Sequence, residues 1–452
     1  MKKLIFSVIA AIAAVCACSV HSGDSSEYVK VVDGEFMLDG EPVSFVGTNF
    51  WYGPLIASEG RGGNRERLHK ELDALKSIGV TNLRILVGSD GPEGVAYKVE
   101  PVLQLEPGVY NDTVLRGLDY LLAEMAERDM HAVLFFNNSW EWSGGYGQYL
   151  EWAGNGKALL PNVDGYENYV DHVCRFVRDE KAKELYYNHV RNIVTRVNTV
   201  TGKPYSEDPA IFSWQIGNEP RPFARDSVTK AAFADWLCTS ATLIKSLDPN
   251  HMVSTGSEGL FGCESDLELF EKVHAHKDFD YLNIHIWPLV WRWVTKDTFA
   301  DSVCVATDMT EKYIMLHYPA AERLGKPIVL EEFGYPRDGD TAFEGEAEKF
   351  WDGVCLSKDS STAARDAYYG YVFDRLVKAR ENGEPLVGVN FWGWGGYATQ
   401  SKVNEFWRPG DDYCGDPAQE PQGLFSVYIT DESTVELIKQ TNEKLKRTTK
   451  TK

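Results

Sequence analysis

The chain has 452 residues, 43% of them hydrophobic, a formal net charge of −21 and a pI near 5.0. That length suits one large domain or two ordinary ones. So acidic a chain has no basic surplus to meet phosphates, which excludes nucleic acid as an expected partner; a neutral polymer stays compatible.

Residues 1–18 read as an export signal. Lys2 and Lys3 precede an apolar stretch of about a dozen residues, too short to span a membrane. Val15-Cys16-Ala17-Cys18 resembles a bacterial lipoprotein signal, with Cys18 as the lipidated residue and the point of attachment to an outer membrane or cell surface. Cleavage after Ala17, giving a periplasmic or secreted protein, is the competing reading. Beyond the signal stand Cys174, Cys238, Cys263, Cys304, Cys355 and Cys414, too widely spaced for a zinc knuckle. Disulfides in an exported protein and free buried thiols both remain open. A monomer is expected.

Asp39-Gly40 between two short apolar runs predicts a tight hairpin. Strand and helix then alternate. Strands are predicted at 44–48, 80–86, 131–136, 211–216, 251–255, 281–285, 328–332 and 387–392. Helices are predicted at 64–77, 112–128, 180–199, 227–246, 266–274, 308–324 and 362–381. Ser433-Thr434-Val435-Glu436 predicts a capping box that opens a final helix. Eight strands alternating with helices predict one α/β domain over 28–447, a (β/α)8 TIM barrel with the hairpin closing its floor. Segments after strands are long (87–111, 137–165, 334–361, 393–431) and those before them short. In this fold the loops after the strands build the active-site face.

Two apolar runs end on carboxylates: Trp214-Gln215-Ile216-Gly217-Asn218-Glu219-Pro220 and Ile328-Val329-Leu330-Glu331-Glu332-Phe333-Gly334. A buried strand has no routine use for an unpaired charge. Two carboxyl groups brought together at one end of a parallel sheet are the equipment for cleaving a glycosidic bond. Strand alternation puts Glu331 and Glu332 on opposite faces, so only one is expected at the barrel mouth. Periodicity does not choose between them.

The residues around these glutamates resemble a known family. Asn218-Glu219-Pro220 and Glu332-Phe333-Gly334 resemble the ends of the fourth and seventh barrel strands in glycoside hydrolase family 5, of the clan A retaining glycosidases. Gly47-Thr48-Asn49-Phe50-Trp51-Tyr52, Asn82-Leu83-Arg84, Asn137-Asn138-Ser139-Trp140, Phe391-Trp392-Gly393-Trp394 and Asp416-Pro417-Ala418-Gln419-Glu420-Pro421-Gln422-Gly423 resemble its β-mannanase/β-mannosidase subgroup. The resemblance implies that Glu332 is the nucleophile, which selects it over Glu331, and that Glu219 is the acid/base. It implies that Arg84 keeps Glu332 ionised, that Asn218 bonds the sugar 2-OH, and that His285 serves the site. Trp287 stands where many relatives carry a tyrosine that bonds the nucleophile; indole donates only through its N–H, so that role is not carried over.

The reaction implied is a retaining double displacement on β-1,4-mannan, galactomannan or glucomannan, with neither cofactor nor metal. His274-Ala275-His276 lies at a helix end and is not read as a metal pair.

Eleven tryptophans fall at or beyond predicted strand ends: 51, 140, 142, 152, 287, 291, 293, 351, 392, 394 and 407. Flat apolar faces above a cleft suit sugar rings. Trp392 is expected under the attacked sugar, with Trp51, Trp140, Trp287 and Trp394 as further substrate surfaces. Aromatics spread over the loops after the third and sixth strands predict several subsites and internal cutting. The alternatives are an exo-acting β-mannosidase, a β-1,4-glucanase, and a non-catalytic glycan-binding surface protein.

Overall fold

The computed structural model describes residues 27–337, 361–401 and 403–449. The predicted export signal with Cys16 and Cys18, together with Trp351 and Cys355, lies outside the described residues.

Three short antiparallel strands come first: β1 (Lys30–Val32), β2 (Glu35–Leu38) and β3 (Glu41–Val43). Asp33-Gly34 and Asp39-Gly40 form the two turns with φ of 51°, 79°, 52° and 80°. Positive φ at both central residues matches the right-handed twist of the flanking strands. The predicted hairpin is therefore one of two joined hairpins. Phe36 of β2 is fully buried, with its ring 5.0 to 6.3 Å from those of Phe45, Phe212 and Tyr281. It plugs the bottom of the barrel.

The barrel strands are β4 (Phe45–Asn49), β5 (Asn82–Leu86), β6 (His131–Phe135), β7 (Ile211–Gln215), β8 (Met252–Ser254), β9 (Leu282–Ile286), β10 (Ile328–Phe333) and β11 (Leu386–Phe391). Each predicted strand is present. They pair in parallel in the order β8-β7-β6-β5-β4-β11-β10-β9. Between β8 and β9 individual bonds close the seam. Asp280 N–H donates to the Val253 carbonyl at 2.9 Å, and the Asp280 carboxylate accepts from Val253 N–H at 2.7 Å. Farther up, Gly256 N–H donates to Asn283 Oδ1 at 2.8 Å.

Helices α1 (Arg65–Ser77), α2 (Asp112–Ala126), α3 (Glu180–Val194), α4 (Ser227–Leu247), α5 (Leu267–His274), α6 (Val303–Leu324), α7 (Ala363–Asn382) and α8 (Glu432–Thr449) surround the strands. Asn64, Asp179, Asp226 and Asp266 cap α1, α3, α4 and α5 by accepting backbone N–H bonds. α3 stops five residues short of its predicted end, because Asn198 turns the chain back with an N–H bond to Lys203 O. The predicted capping box does not form. α8 begins at Glu432, and the hydroxyls of Ser433 and Thr434 donate to Asp366 on α7 instead.

The connection after β6 contains helices Gly145–Ala153 and Tyr166–Val173. After β11, Trp394–Gly396 pairs with Val427–Tyr428, which folds the intervening loop back over the barrel mouth. Cys174, Cys238, Cys263, Cys304 and Cys414 are free thiols. No helix among the described residues is long and apolar enough to cross a membrane.

Candidate active site

Glu219 follows β7 in a backbone conformation with φ of 49°. A non-glycine residue adopts this left-handed region at a cost of about 1–3 kcal/mol, so its surroundings must hold it there. Its N–H donates to Gly256 O at 3.0 Å, and the Ser139 hydroxyl donates to its carbonyl. The turn brings its carboxyl across the mouth. Trp140 Nε1–H donates to Glu219 Oε2 at 2.6 Å, and His285 Nδ1 lies 2.9 Å from Glu219 Oε1.

Glu332 arrives from the other side through an irregularity. β9 and β10 pair Ile284 with Leu330, then His285 with Glu332, so Glu331 is one residue more than its partner strand supplies. Such a bulge breaks the alternation of faces. Both glutamates consequently reach one buried guanidinium. Arg84 Nη1 donates to Glu332 Oε1, and Arg84 Nε lies 3.2 Å from Glu331 Oε2. Only Glu332 lines the cavity at the barrel mouth; Glu331 is held in the barrel interior. Glu331 takes further bonds from Gln215 Nε2 and from the Tyr281 hydroxyl, the latter at 3.1 Å. Arg84 also donates to Gln215, Asn49 and Asn218 at 2.8, 3.1 and 2.9 Å.

His285 Nδ1 is 3.3 Å from Glu332 Oε2. That nitrogen and one oxygen from each of Glu219 and Glu332 lie within 4.8 Å of one another. The trio has the donor types of a divalent-cation site, but Arg84 already brings a permanent positive charge to it. Burial pushes the imidazole of His285 well below its ordinary pKa, with the Arg84 charge adding, so the ring is neutral. The tautomer that fits carries its proton on Nδ1 and donates to the carboxylates. Burial also pushes both carboxyls up; at Glu332 the charge of Arg84 is the main opposing influence. Like charges this close share a proton. Glu332 alone of the two bonds a guanidinium directly, which favours its ionised form over that of Glu219.

A cavity of about 710 Å³ opens above the pair. Asn218, Glu219, Glu332, Trp140, Trp287 and Trp392 line it. It is wide enough for sugar rings and carries aromatic faces and carboxyls together.

The glycoside hydrolase family 5 β-mannosidase-like model matches residues 26–450. The chain belongs to that family. It is therefore a glycoside hydrolase. This family 5 chain is 30% identical to mannan endo-1,4-β-mannosidase 4 of Oryza sativa subsp. japonica, over 83% of its own length and 74% of the relative's. It is 28% identical to mannan endo-1,4-β-mannosidase 1 of Arabidopsis thaliana, over 79% of each. Among solved structures, a glycoside hydrolase family 5 mannosidase from Rhizomucor miehei superposes with a TM-score of 0.82 at 32% identity, covering 95% of this chain and all of that one.

The family 5 barrel gathers Glu219, Glu332, Asn218, Trp140, Trp287 and Trp392 at the cavity. Arg84 and His285 lie beneath it, fully buried, where they touch the carboxyls and do not line the cavity. Both are positioning residues.

Trp51 and Trp394 are corrections to the expected substrate surfaces. Trp51 is buried in the loop packing with its Nε1–H on Gly415 O at 2.9 Å. Trp394 is wholly buried and donates to Glu71 Oε2 at 2.7 Å. Neither faces the cavity. Indole N–H groups need partners when buried, and these two found theirs in loop anchors. Trp152 and Trp293 also lie outside the cavity lining, whereas Trp142 and Trp291 are in it.

Sequence reasoning missed Arg221, Glu258, Glu141 and Glu420, all of which line the cavity. Arg221 grips both oxygens of Glu258 and sits 5.3 Å above the Trp140 ring. Arg221 follows directly on the Asn-Glu-Pro motif, Glu141 follows Asn137-Asn138-Ser139-Trp140, and Glu420 lies within the motif from Asp416 to Gly423, so only Glu258 had no local cue.

Proposed function

We propose that the protein hydrolyses β-1,4-mannosidic bonds with retention, Glu332 acting as nucleophile and Glu219 as acid/base. The observation that carries this reading is the carboxyl pair, with oxygens within 4.8 Å, clamped from below by Arg84 and His285. That spacing suits a retaining site, where carboxyl groups stand about 5–5.5 Å apart, and leaves no room for the water of an inverting one. In the first step Glu332 attacks the anomeric carbon while Glu219 gives its proton to the departing oxygen. In the second, Glu219 takes a proton from water, and the water displaces Glu332. Arg84 stabilises the Glu332 carboxylate as it leaves. Asn218 is placed beside Glu219 with its amide nitrogen 3.3 Å from Asn138 Oδ1, and meets the sugar 2-OH.

Mannose as the sugar is supported by the family and by the names of the relatives. Internal cutting is the reading those plant relatives suggest. End-wise release of mannose is favoured by a different observation: Glu420 and Gln419, on the loop after β11, wall the cavity next to Trp392. Export, with attachment through Cys18, is proposed from residues 1–18. A monomer is proposed on the same footing, from the chain alone.

The test is hydrolysis of mannohexaose followed over time, beside aryl β-mannoside and aryl β-glucoside. Preference for the mannoside supports the substrate reading, and equal or better cleavage of the glucoside overturns it. Early mannobiose to mannotetraose marks internal cutting; mannose from the first time points marks end-wise release.

A further inference from the structure

Trp287 lines the cavity, yet its surroundings are those of a fixed hydrogen-bond donor. It follows β9 and is 6% exposed. Side chains two apart along a strand share a face, so Trp287 continues the face of His285, whose Nδ1 lies 2.9 Å from Glu219 Oε1. Trp291 N–H donates to the Trp287 carbonyl at 2.8 Å, and Trp293 N–H donates to the Pro288 carbonyl at 2.9 Å. The turn that carries the indole is thus closed on itself.

Three neighbours fix the ring. Trp392 meets it at 75° with 5.9 Å between centroids, and Phe425 at 61° with 5.0 Å. Edge-on contacts of this kind set the plane of a ring as well as its place. Gly334, two residues past Glu332, makes room on a third side: a β-carbon there would stand 2.6 Å from Trp287 Cζ3. Cζ3 lies across the benzo ring from the carbon that bears Nε1. With that edge against Gly334 the N–H points the other way, where it donates to Glu219.

Glu332 is met by other donors, Arg84 Nη1 and His285 Nδ1. Glu219 therefore has two indole donors, Trp140 and Trp287, on the connections after β6 and β9. A hydrogen bond accepted by a carboxyl is stronger to its charged form. Glu219 takes that form when it gives up its proton. Burial, the largest influence on Glu219, opposes the charge; Arg221, Arg84 and the two indoles favour it. The other titratable groups that face it are Glu332, Glu258 and Glu420, all of its own sign, and the neutral His285.

We infer that Trp287 is a positioning residue for the acid/base: its indole N–H, held by Trp392, Phe425 and the space at Gly334, stabilises the Glu219 carboxylate that forms when the leaving group takes its proton. The inference rests on the proposed roles of Glu219 and Glu332.

Two experiments test it. In the first, kcat/KM of Trp287→Phe and of the unaltered protein is followed against pH on mannotetraose and on 2,4-dinitrophenyl β-mannoside, with melting temperature as the folding control. Mannotetraose needs the proton of Glu219, whereas dinitrophenolate leaves without it. The fall on mannotetraose is expected to exceed that on the dinitrophenyl substrate by at least about fivefold, and the basic limb on mannotetraose to move up by at least about half a pH unit. Equal falls on the two substrates, the mark of a sugar platform, or a limb that stays put overturn the inference. The second experiment needs no variant of Trp287. With nitrogen-15 in the indole rings, each tryptophan gives one N–H signal by NMR. At least two of these signals are expected to shift with pH as Glu219 titrates, and to lose that shift in Glu219→Gln. A single signal that follows Glu219, or none, overturns the inference. If the unaltered protein cleaves no β-mannoside, the functional reading has failed instead, and the indole signals still report the contact, so the two failures are distinct.

Discussion

Arg84 Nε lies 3.2 Å from Glu331 Oε2 while its Nη1 donates to Glu332, so one guanidinium holds two consecutive glutamates. A regular strand would send those side chains to opposite faces. The bulge in β10 removes that conflict, and the positive charge of Arg84 lowers the cost of burying both.

Glu331→Ala leaves Gln215, Tyr281 and part of Arg84 without their partner. Breaking a buried pair on one side costs about 3–5 kcal/mol, less whatever Glu332 still supplies. The variant is expected to melt lower and to lose at least tenfold in kcat as Arg84 shifts. Stability and kcat within twofold of the unaltered protein would show that Arg84 does not depend on Glu331.

Glu332→Ala and Glu219→Ala are each expected to lose several orders of magnitude in kcat on mannan while keeping their far-UV circular dichroism. Azide should restore Glu219→Ala on substrates with good leaving groups, since the second step then needs no base. Rescue of Glu332→Ala and not of Glu219→Ala, with the product anomer unchanged, would reverse the assigned roles.

The anomer first released reports the carboxyl geometry. Proton NMR during early hydrolysis is expected to show the β-anomer before mutarotation. An initial α-anomer would mean single displacement and would remove Glu332 from the covalent role.

Trp140→Phe keeps an aromatic ring, though a smaller one, and deletes the N–H that bonds Glu219 Oε2 at 2.6 Å. That bond favours the ionised form and opposes the upward push of burial on Glu219. Without it the carboxyl pKa rises, and Glu219 keeps its proton to higher pH. The basic limb of kcat/KM against pH is expected to move to higher pH. A limb that stays put or moves down would dissociate it from Glu219.

Glu141 lines the cavity, and burial pushes its carboxyl up to about 7. An unfolded glutamate titrates near 4.3, so between about 4.3 and 7 the folded chain binds the extra proton. Folded-state stability from this group is complete below that window and lost as pH rises through it. Glu141→Gln has no such loss. Its melting temperature relative to the unaltered protein is expected to improve from pH 4.5 to pH 7, by an amount equivalent to at most about 3 kcal/mol. A constant difference would show that Glu141 is not buried in its charged form.

Local pattern alone determined the eight strands, the helices between them and the two strand ends bearing Glu219 and Glu332. Apolar periodicity and turn residues act over a few positions, and parallel strands joined by helices have few ways to close. The long connections after strands marked the face that holds the cavity. What only the tertiary structure decided involves partners far apart in the chain. The bulge that turns both Glu331 and Glu332 inward depends on Arg84, about 250 residues earlier. Trp51 and Trp394 looked like sugar platforms from their places at strand ends, yet Gly415 and Glu71 claim their N–H groups. Ser433 and Thr434 had the spacing of a helix cap, and Asp366 outbid the helix for their hydroxyls. Glu420 lies within a motif, yet its place at the cavity was decided by Asp416 and Gln422, which fold that loop, and by β11, which supplies the wall beside it. A side chain's type is written in the sequence, but whether its polar atoms meet a loop anchor or a cavity is decided by which distant groups the fold brings within bonding distance.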